Sequence, residues 1–347
     1  MSEAHWPITL ADFEELARPR LEPGAWDYIA GGAGDEHTLR DNVESWTSLR
    51  LRPRVLVDVR TRDLTVSAFG TTLPFPIILA PTAAHQLAHA DAERATARGA
   101  ASAGALMTLS TISSLAMEEV AKAAPDAPRW FQLYAPEDRG ACRELIDRAV
   151  AAGYQAIAIT VDLPVPGNRE KDVRNRFEVN LGAHLPPSEP TGESGLVLLP
   201  TMDWDELAYV RSICPIPLLA KGVLRADDAL RAVDAGCDGI WVSNHGGRQL
   251  DTAITSAEAL PEIADAVGGR ALLVADGGVR RGIDVLKAIA LGADLVAIGR
   301  PTLWGLAVDG SDGVRRVLEI LREELSRSMA LAGCRSLDEI TPDLVAR

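Results

Sequence analysis

Eight short apolar runs that alternate with helical patterns constrain the fold of this chain more than any other feature. Each run is nearly continuous in hydrophobicity, as expected for a strand that is buried on both faces of a sheet. The intervening patterns have helical periodicity, and several of them end in glycine, the usual C-terminal cap of a helix. The eight runs are PIILA, LMTLS, WFQLY, AIAITVD, PLLAKG, GIWVSNHGG, ALLVADGG and LVAIGRP.

The alternation predicts an α/β fold in which eight parallel strands close into a (β/α)8 barrel, the TIM barrel. A doubly wound open sheet is the alternative, but eight units of this regularity favour closure. We predict a single domain over residues 1–347, a length that one barrel of this type accommodates. Near the C-terminus, GVRRVLEILREELSRSMALAG is amphipathic and predicts the helix that closes the outer ring.

Two segments are predicted to be additions to the barrel. Residues 1–75 hold N-terminal helices, with Thr9 and Asp12 as a capping box and Pro23 opening a second helix, and a hairpin that seals the barrel bottom. Residues 163–216 follow the fourth strand and are rich in proline, glycine and charge. The spacing there is roughly twice the ~25–30 residues of the other units, which predicts a long, lid-like insertion.

Composition narrows the classes of function. A net charge of −14 argues against a general nucleic-acid or anionic-membrane surface, and no apolar run reaches the ~20 residues of a membrane-spanning helix. The four cysteines lie far apart, and the histidines show no metal-ligand spacing, so we expect free thiols and no metal. No signal peptide is visible at the N-terminus, which predicts a cytoplasmic protein.

The carboxyl ends of the predicted strands carry many polar side chains, and this is the end at which barrel enzymes build their active sites. A purely structural rim has no reason to gather lysine, arginine, histidine and aspartate at matching strand ends. These residues therefore predict an active site. They are Thr82, Ser110, Gln132, Tyr134, Thr160, Asp162, Lys221, Ser243, His245, Arg248, Asp276 and Arg300.

The stretch SNHGGRQLD, residues 243–251, places an imidazole and a guanidinium three residues apart after the sixth strand. His245 is suited to be a general base because the pKa of histidine lies near working pH, and Asp162 would accept a hydrogen bond from its other ring nitrogen. Arg248 offers a bidentate match to a carboxylate. Together these residues predict proton abstraction beside a carboxylate; the alternative is a structural histidine that caps a loop.

The fifth, seventh and eighth strands end in a lysine and in arginines beside glycines. ADGGVRRG and AIGRP place glycines next to Arg280 and Arg300, which predicts a phosphate site for a cofactor or a substrate. The alternative is turn glycines beside surface arginines. Lys221 could form a Schiff base, as in an aldolase, or stabilise an electron-rich cofactor, and the residues alone leave this choice open.

These motifs together resemble the FMN-dependent α-hydroxy-acid oxidase and dehydrogenase family, which includes glycolate oxidase, lactate oxidase, mandelate dehydrogenase and hydroxymandelate oxidase. The resemblance rests on SNHGGRQLD, with LLAKGV before it and ADGGVRRGIDV and IGRP after it. It extends over nearly the whole chain through WDYIAGGAGDEHTLRDN, LRPRVLVDV, PIILAPTA, ARGAASAGALMTLST, WFQLY, AITVDLPVPGNRE and ALAGCRSLDEI. It implies FMN as the cofactor and disfavours the Schiff base.

The resemblance also implies a role for each residue of the rim. His245 is the catalytic base with Asp162 as its partner, and Lys221 lies against the flavin N1 and C2 oxygen. The residues implied to bind the substrate are Tyr28, Tyr134, Arg169 and Arg248. The residues implied to hold FMN are Pro81, Thr82, Ala83, Ser110, Gln132, Thr160, Lys221, Ser243, Asp276, Gly278, Arg280, Gly299 and Arg300.

The implied reaction oxidises an (S)-2-hydroxy acid to the 2-oxo acid, with oxygen as the acceptor and hydrogen peroxide as the second product. No fused haem domain and no membrane-binding segment is visible, which favours an oxidase over a dehydrogenase that uses a quinone. Three competing hypotheses are a monooxygenase that decarboxylates the 2-oxo acid, a flavin-free lyase using Lys221, and a non-enzymatic interaction protein on a retained barrel. The family commonly forms tetramers, so a homo-oligomer is expected.

Two departures from the family pattern bear on the substrate. Ile112 stands where glycolate oxidase has tryptophan and many relatives have a small residue. An aliphatic wall there implies a substrate bulkier than glycolate, either mandelate-like or aliphatic. The insertion after the fourth strand is shorter than in several relatives, which implies an open site that would admit a bulky or carrier-tethered substrate.

Overall fold

Eight parallel strands of the computed structural model close into a barrel in the order in which the chain forms them. The structure describes residues 7–178, 183–184 and 202–346. Every predicted strand is present, and the predicted TIM barrel is confirmed. The strands are β1 (Arg50–Leu51), β2 (Val66–Ala68), β3 (Thr71–Leu73), β4 (Ile77–Leu79), β5 (Met107–Ser110), β6 (Arg129–Leu133), β7 (Ile157–Thr160), β8 (Leu218–Val223), β9 (Gly239–Val242), β10 (Leu272–Ala275), β11 (Leu295–Ile298) and β12 (Val345–Ala346), and β4 to β11 form the barrel.

Helices surround the barrel, and others precede it. None of the described helices is both long and apolar enough to cross a membrane. They are α1 (Leu10–Ala17), α2 (Pro23–Ala30), α3 (His37–Ser48), α4 (Ala92–Ala103), α5 (Met117–Ala123), α6 (Arg139–Ala151), α7 (Glu170–Asn175), α8 (Trp204–Ile213), α9 (Ala226–Asp234), α10 (Ser256–Val267), α11 (Gly282–Ala290) and α12 (Arg300–Ala332).

Large apolar side chains fill the interior of the barrel. Trp130 and Trp241 are fully buried and meet edge to face, with ring centroids 6.5 Å apart, and Leu219 packs in the same cluster. The β2–β3 hairpin adds Leu73 to this cluster and places the Phe69 ring 5.6 Å from Trp130. Burial of each such side chain stabilises the fold by about 1.5–3 kcal/mol, so the interior is a packed core. The structure thus contains the predicted hairpin, and its role as a seal of the barrel bottom stays a prediction.

The helix-start signals of the N-terminal segment are also confirmed. Thr9 accepts a hydrogen bond from the Asp12 N–H at 3.2 Å, and the Asp12 carboxylate accepts one from the Thr9 N–H at 2.9 Å. Pro23 is the first residue of α2, where its missing N–H costs nothing. These two caps fix the start of the helices that lead to the barrel.

The segment after β7 is not one continuous addition to the barrel. Helix α8 buries Leu207 and Val210 in the main core, so it is the outer helix of the fourth unit, and only the residues before it remain as the predicted insertion. Residues 179–182 and 185–201 of that insertion lie outside the described residues. The predicted C-terminal helix is present as the part of α12 that follows a break at Asp309 and Gly310, and a further helical segment from Arg300 precedes that break.

Helix α3, which the hydrophobic pattern did not predict, connects the N-terminal segment to two strand ends. Asn42 and Asn244 form a reciprocal pair of buried amide hydrogen bonds, at 2.9 and 2.7 Å. One turn later, the Trp46 indole N–H donates to the Gly277 carbonyl at 2.7 Å, and Lys287 Nζ donates to the Trp46 carbonyl at 2.5 Å. The loops after β9 and β10 are therefore held by the same helix.

We expect the substitution Asn42→Ala to lower the free energy of unfolding by about 1–3 kcal/mol, because it removes both amide hydrogen bonds to the buried Asn244, which keeps only its bonds with Ile254 and Gly247. Urea unfolding of the variant and of the parent protein measures this difference. Thr47→Ala, on the exposed face of the same helix, is the matched control and should change stability by less than about 0.5 kcal/mol. Equal effects of the two substitutions would contradict the role of the amide pair.

Candidate active site

A single cavity at the carboxyl ends of the barrel strands collects nearly all of the predicted site residues. Two of them do not line its wall: Asp162 and Ser243 lie behind it. The cavity is lined by Tyr28, Pro81, Thr82, Ala83, Ser110, Ile112, Gln132, Tyr134, Thr160, Arg169, Lys221, His245, Arg248, Asp276, Gly278, Arg280, Gly299 and Arg300, together with residues that were not predicted.

His245 and Asp162 form the hydrogen-bonded pair at the centre of the site. The His245 backbone is left-handed, with φ of 58°, and its N–H donates to the Ser243 hydroxyl at 3.0 Å. This turn brings His245 Nδ1 to 3.0 and 3.2 Å from the two carboxylate oxygens of Asp162. Since Nδ1 carries the proton that Asp162 accepts, Nε2 faces the cavity as an acceptor, 3.5 Å from the Tyr134 hydroxyl.

Burial and neighbouring charge favour the neutral form of this imidazole. Burial lowers the pKa of His245, and the cations Lys221 and Arg169 add to this effect, whereas Asp162 opposes it. Burial acts to raise the pKa of Asp162, but the adjacent His245 and Lys221 outweigh it and hold that pKa below its ordinary value. At neutral pH the pair is therefore a neutral imidazole beside a carboxylate, the state that can accept a proton.

Arg248 presents a partly bonded guanidinium to the cavity. Its Nη1 donates to the carbonyls of Tyr28 at 2.6 Å and Gly31 at 3.0 Å, and the guanidinium carbon lies 4.8 Å from the centroid of the Tyr28 ring. Burial and the nearby Arg169 cation lower the pKa of Arg248 to about 10. Two half-buried cations on the wall of one cavity would be stabilised by an anion between them, such as a carboxylate.

Lys221 lies on the opposite side of the cavity against a fixed carboxylate. Its Nζ is 4.0 Å from Asp276 Oδ2, and its ammonium lies 5.8 Å from the Trp241 ring centroid. Asp276 also accepts hydrogen bonds from the Trp241 indole at 2.9 Å and from the Ser243 hydroxyl at 2.7 Å. Ser243, predicted to line the cofactor site, thus orients Asp276 and the His245 backbone instead of reaching the cavity.

A row of polar side chains crosses three neighbouring strands on the floor of the cavity. Ser110 donates to Gln132 Oε1 at 3.1 Å, and Gln132 Nε2 donates to the Thr160 hydroxyl at 3.0 Å. Ser110 and Thr160 end their strands, Gln132 is the penultimate residue of β6, and all three are buried, so their orientations are fixed by one another. Such a row offers donors and acceptors to the edge of a flat polar ring.

The part of the cavity at the start of α12 has the features of an anion site. Burial and the neighbouring arginines Arg248 and Arg280 lower the pKa of Arg300 to about 9, and burial also lowers the pKa of Arg280. Helix α12 begins at this point, after Gly299. Within the described part of the chain, the backbone N–H groups of Gly278 and Gly299 donate to no other residue. Free N–H groups, a helix N-terminus and two underneutralised arginines are the donor set that binds a phosphate.

Comparison with known proteins identifies the family. The chain matches the FMN-dependent dehydrogenase family over residues 17–347, and it belongs to that family. It is 50% identical to the L-lactate oxidase of a Nostoc species, with 96% of each chain covered. It is 45% identical to the peroxisomal (S)-2-hydroxy-acid oxidase of Oryza sativa, covering 98% of this chain and 96% of the relative. A solved structure of mandelate oxidase with (S)-2-phenylpropionate superimposes with a TM-score of 0.89, at 40% identity and with 98% of each chain covered.

The residues of the cavity fit FMN, the cofactor of this family. The arginines and free N–H groups near α12 match its phosphate, and the polar row at Gln132 matches the heteroatoms of its ring. Lys221 supplies a positive charge suited to a reduced, anionic ring. The resemblance found in the sequence and the predicted cofactor are therefore confirmed.

Sequence reasoning did not find several residues that shape the site. Leu163, Val165 and Pro166 line the cavity directly after β7. Gln249 holds this loop, since its Nε2 donates to the Asp162 carbonyl at 3.0 Å and to the Val165 carbonyl at 3.1 Å. The sequence indicated this loop only by its position after a strand. A local sequence pattern does not predict which groups a glutamine such as Gln249 will bond.

We expect Arg280→Met to weaken FMN binding by about 10- to 100-fold, because a charge-assisted hydrogen bond contributes about 1.5–3 kcal/mol. Riboflavin, which lacks the phosphate, should bind the variant and the parent equally well. Quenching of flavin fluorescence on addition to the apoprotein measures both affinities.

Arg281→Met is the control for this substitution, since Arg281 pairs with Glu324 at 2.8 Å on the outer surface and does not line the cavity. If Arg280→Met weakened riboflavin and FMN to the same extent, the phosphate would not lie at this end of the cavity.

Proposed function

We propose that this protein oxidises an (S)-2-hydroxy acid to the corresponding 2-oxo acid. One observation carries the proposal: a neutral imidazole acceptor, His245 Nε2, lines the same cavity as the half-buried guanidinium of Arg248, and the Tyr134 hydroxyl lies 3.5 Å from Nε2. A base beside a carboxylate-binding group is the arrangement that a 2-hydroxy acid requires. Family membership and relatives named as oxidases of L-lactate and of (S)-2-hydroxy acids support it.

In this proposal Arg248, together with Arg169 and Tyr28, binds the substrate carboxylate and so fixes the adjacent carbinol carbon near His245. His245 Nε2 removes a proton from the carbinol group. Asp162, 3.0 Å from the other ring nitrogen, stabilises the imidazolium that forms.

Tyr134 has a different task from His245 in this reaction. Burial, with Asp162 and Tyr28 nearby, raises the pKa of Tyr134 above its ordinary value, so the phenol keeps its proton at working pH. It therefore donates a hydrogen bond to the substrate oxygen and does not compete as a base.

FMN, when bound, accepts two electrons from the substrate carbon, and its reoxidation by oxygen yields hydrogen peroxide. Gly278, Gly299, Arg280 and Arg300 would hold its phosphate, and Lys221, Gln132 and Thr160 its ring. We propose oxygen as the acceptor because the relatives compared above are named oxidases. The cytoplasmic location and the homotetramer remain predictions.

The products formed in air test which electron acceptor reoxidises the flavin. An oxidase releases one hydrogen peroxide for each 2-oxo acid. A monooxygenase would accumulate the decarboxylated acid without free peroxide, and a dehydrogenase would leave the flavin reduced in air until a quinone is added. Either of the last two results would contradict the proposal that oxygen accepts the electrons and is released as hydrogen peroxide.

The substrate class is proposed from the aliphatic side chains in the cavity wall. Ile112, Leu163 and Val165 line the cavity, and Val165 is 62% exposed at its mouth. We expect L-lactate, (S)-mandelate and (S)-2-hydroxyoctanoate to reduce the bound flavin faster than glycolate does, since each CH₂ buried there contributes about 0.8 kcal/mol. Anaerobic visible spectra before and after each acid measure this order, with the (R)-acids as controls. Reduction by glycolate much faster than by every larger acid would exclude an apolar subsite.

We expect His245→Ala to slow flavin reduction by about 10²- to 10⁴-fold, the usual contribution of a positioned base, while FMN stays bound. In the parent protein the rate should be constant above about pH 7 and should fall at lower pH, because the pKa of His245 lies below the ordinary ~6.5 and the base works only when neutral. Rapid-mixing absorbance under nitrogen measures both quantities. A variant that reduced its flavin at the parent rate would show that another group is the base.

A further inference from the structure

One residue of strand β8 has no counterpart in the neighbouring strand. Leu219, Ala220 and Lys221 pair in register with β9, but Val223 pairs with Val242, the residue directly after the partner of Lys221. Gly222 is therefore an extra residue, a β-bulge, and such bulges are rare between parallel strands. Bulges recur beside active sites, where they redirect a side chain or open space for one.

The bulge separates two side chains that would otherwise share a face of the strand. Lys221 is paired with Trp241, whose side chain lies in the barrel interior, while Val223 packs in the outer core. In an unbroken strand, residues two apart point the same way. The extra residue thus keeps Lys221 turned into the cavity and Val223 turned toward the helices.

Only glycine fits at the bulge, and the reason is Asp162. The φ of Gly222 is +110°, which a residue with a side chain adopts only under strain. A Cβ atom there would lie 2.5 Å from Asp162 Cβ and 2.8 Å from Asp162 Oδ1, closer than real Cβ contacts come. The carboxyl group of Asp162 occupies the space that a side chain at position 222 would fill.

We infer that Gly222 is a positioning residue for the reaction: the β-bulge creates the space from which Asp162 reaches His245 Nδ1. The inference rests on the proposed function of the His245–Asp162 pair. A methyl group at position 222 would displace the carboxylate and break the 3.0 Å hydrogen bond. His245 would then lose both the orientation of its ring and the partner that stabilises its protonated form.

The pH dependence distinguishes this role from a general structural one. The groups that face His245 are Asp162 after β7, Lys221 on β8, Tyr134 after β6 and Arg169 in the insertion. Among them only Asp162 raises the pKa of His245, so its displacement should lower that pKa further. The low-pH limb of the flavin-reduction profile should therefore shift to lower pH as the maximal rate falls.

The test compares Gly222→Ala with Gly292→Ala. Gly292 lies between α11 and β11, at the opposite end of the barrel, has a φ of +107°, and a Cβ there would overlap the Ala264 side chain. The two substitutions therefore impose matched backbone strain and a matched clash. We expect Gly222→Ala to slow flavin reduction by about 100-fold and to shift the low-pH limb of the pH–rate profile to lower pH. Gly292→Ala should leave both the rate and the pH–rate profile unchanged.

A double-mutant cycle identifies the residue through which the glycine acts. If Gly222 works through Asp162, then Gly222→Ala should change the rate by less than about twofold in an Asp162→Asn background. A further 100-fold loss of the flavin-reduction rate in the Asp162→Asn background would overturn the inference. The inference would also be overturned if Gly222→Ala alone had the rate and the pH profile of the parent protein.

Two further measurements keep the test decisive. If Gly222→Ala does not fold, the double variant Gly222→Ala with Asp162→Gly should fold and bind FMN, because it removes the atoms that the new methyl meets; failure of this variant too would contradict the inference. If no hydroxy acid reduces the flavin even in the parent protein, the proposed function fails. A crystal structure of Gly222→Ala then still tests whether Gly222 positions Asp162. The distance from Nδ1 to the Asp162 carboxylate should then exceed about 3.5 Å, and an unchanged distance would overturn the inference.

Discussion

The hydrogen bond between His245 and Asp162 is the contact on which the rest of the site depends. Its partners follow different strands, β9 and β7, with β8 between them, so the register of three neighbouring strands sets the 3.0 Å distance. The left-handed turn at His245 and the bulge at Gly222 are both arranged around this contact. It fixes which ring nitrogen carries the proton and leaves the other as an acceptor toward the cavity.

Two pairs of arginines line the cavity. Arg248 and Arg169 lie near His245, whereas Arg280 and Arg300 lie near the start of α12. Burial and repulsion from neighbouring arginines lower the pKa of Arg248 and of Arg300, as expected for cations that the carboxylates of the protein do not fully compensate. A substrate carboxylate beside Arg248 and the FMN phosphate beside Arg280 and Arg300 would compensate these charges. The net charge of −14 for the whole chain does not conflict with such anion binding, because local pairs dominate inside a cavity.

The sequence predicted the barrel because its strands are apolar on both faces and therefore appear as continuous runs. It predicted most of the cavity because strand ends in this fold converge on one rim. Helix α3 was not predicted because its buried face consists of Thr38, Asn42 and Trp46. This face is held by hydrogen bonds and does not form an apolar stripe. The withdrawal of the Ser243 hydroxyl from the cavity and the bulge at Gly222 depend on contacts between distant parts of the chain, which no local pattern encodes.

The rate of anaerobic flavin reduction by (S)-mandelate or L-lactate, followed from about pH 5 to about pH 9 in the parent protein and in Asp162→Asn, tests the central claim most directly. Loss of the carboxylate should lower the maximal rate by about 100-fold or more and move the low-pH limb to lower pH, because the imidazolium loses the partner that stabilises it. A variant with the parent rate and the parent profile would contradict the account, since Asp162 could not then be the group that orients His245 and stabilises its imidazolium as it accepts the substrate proton.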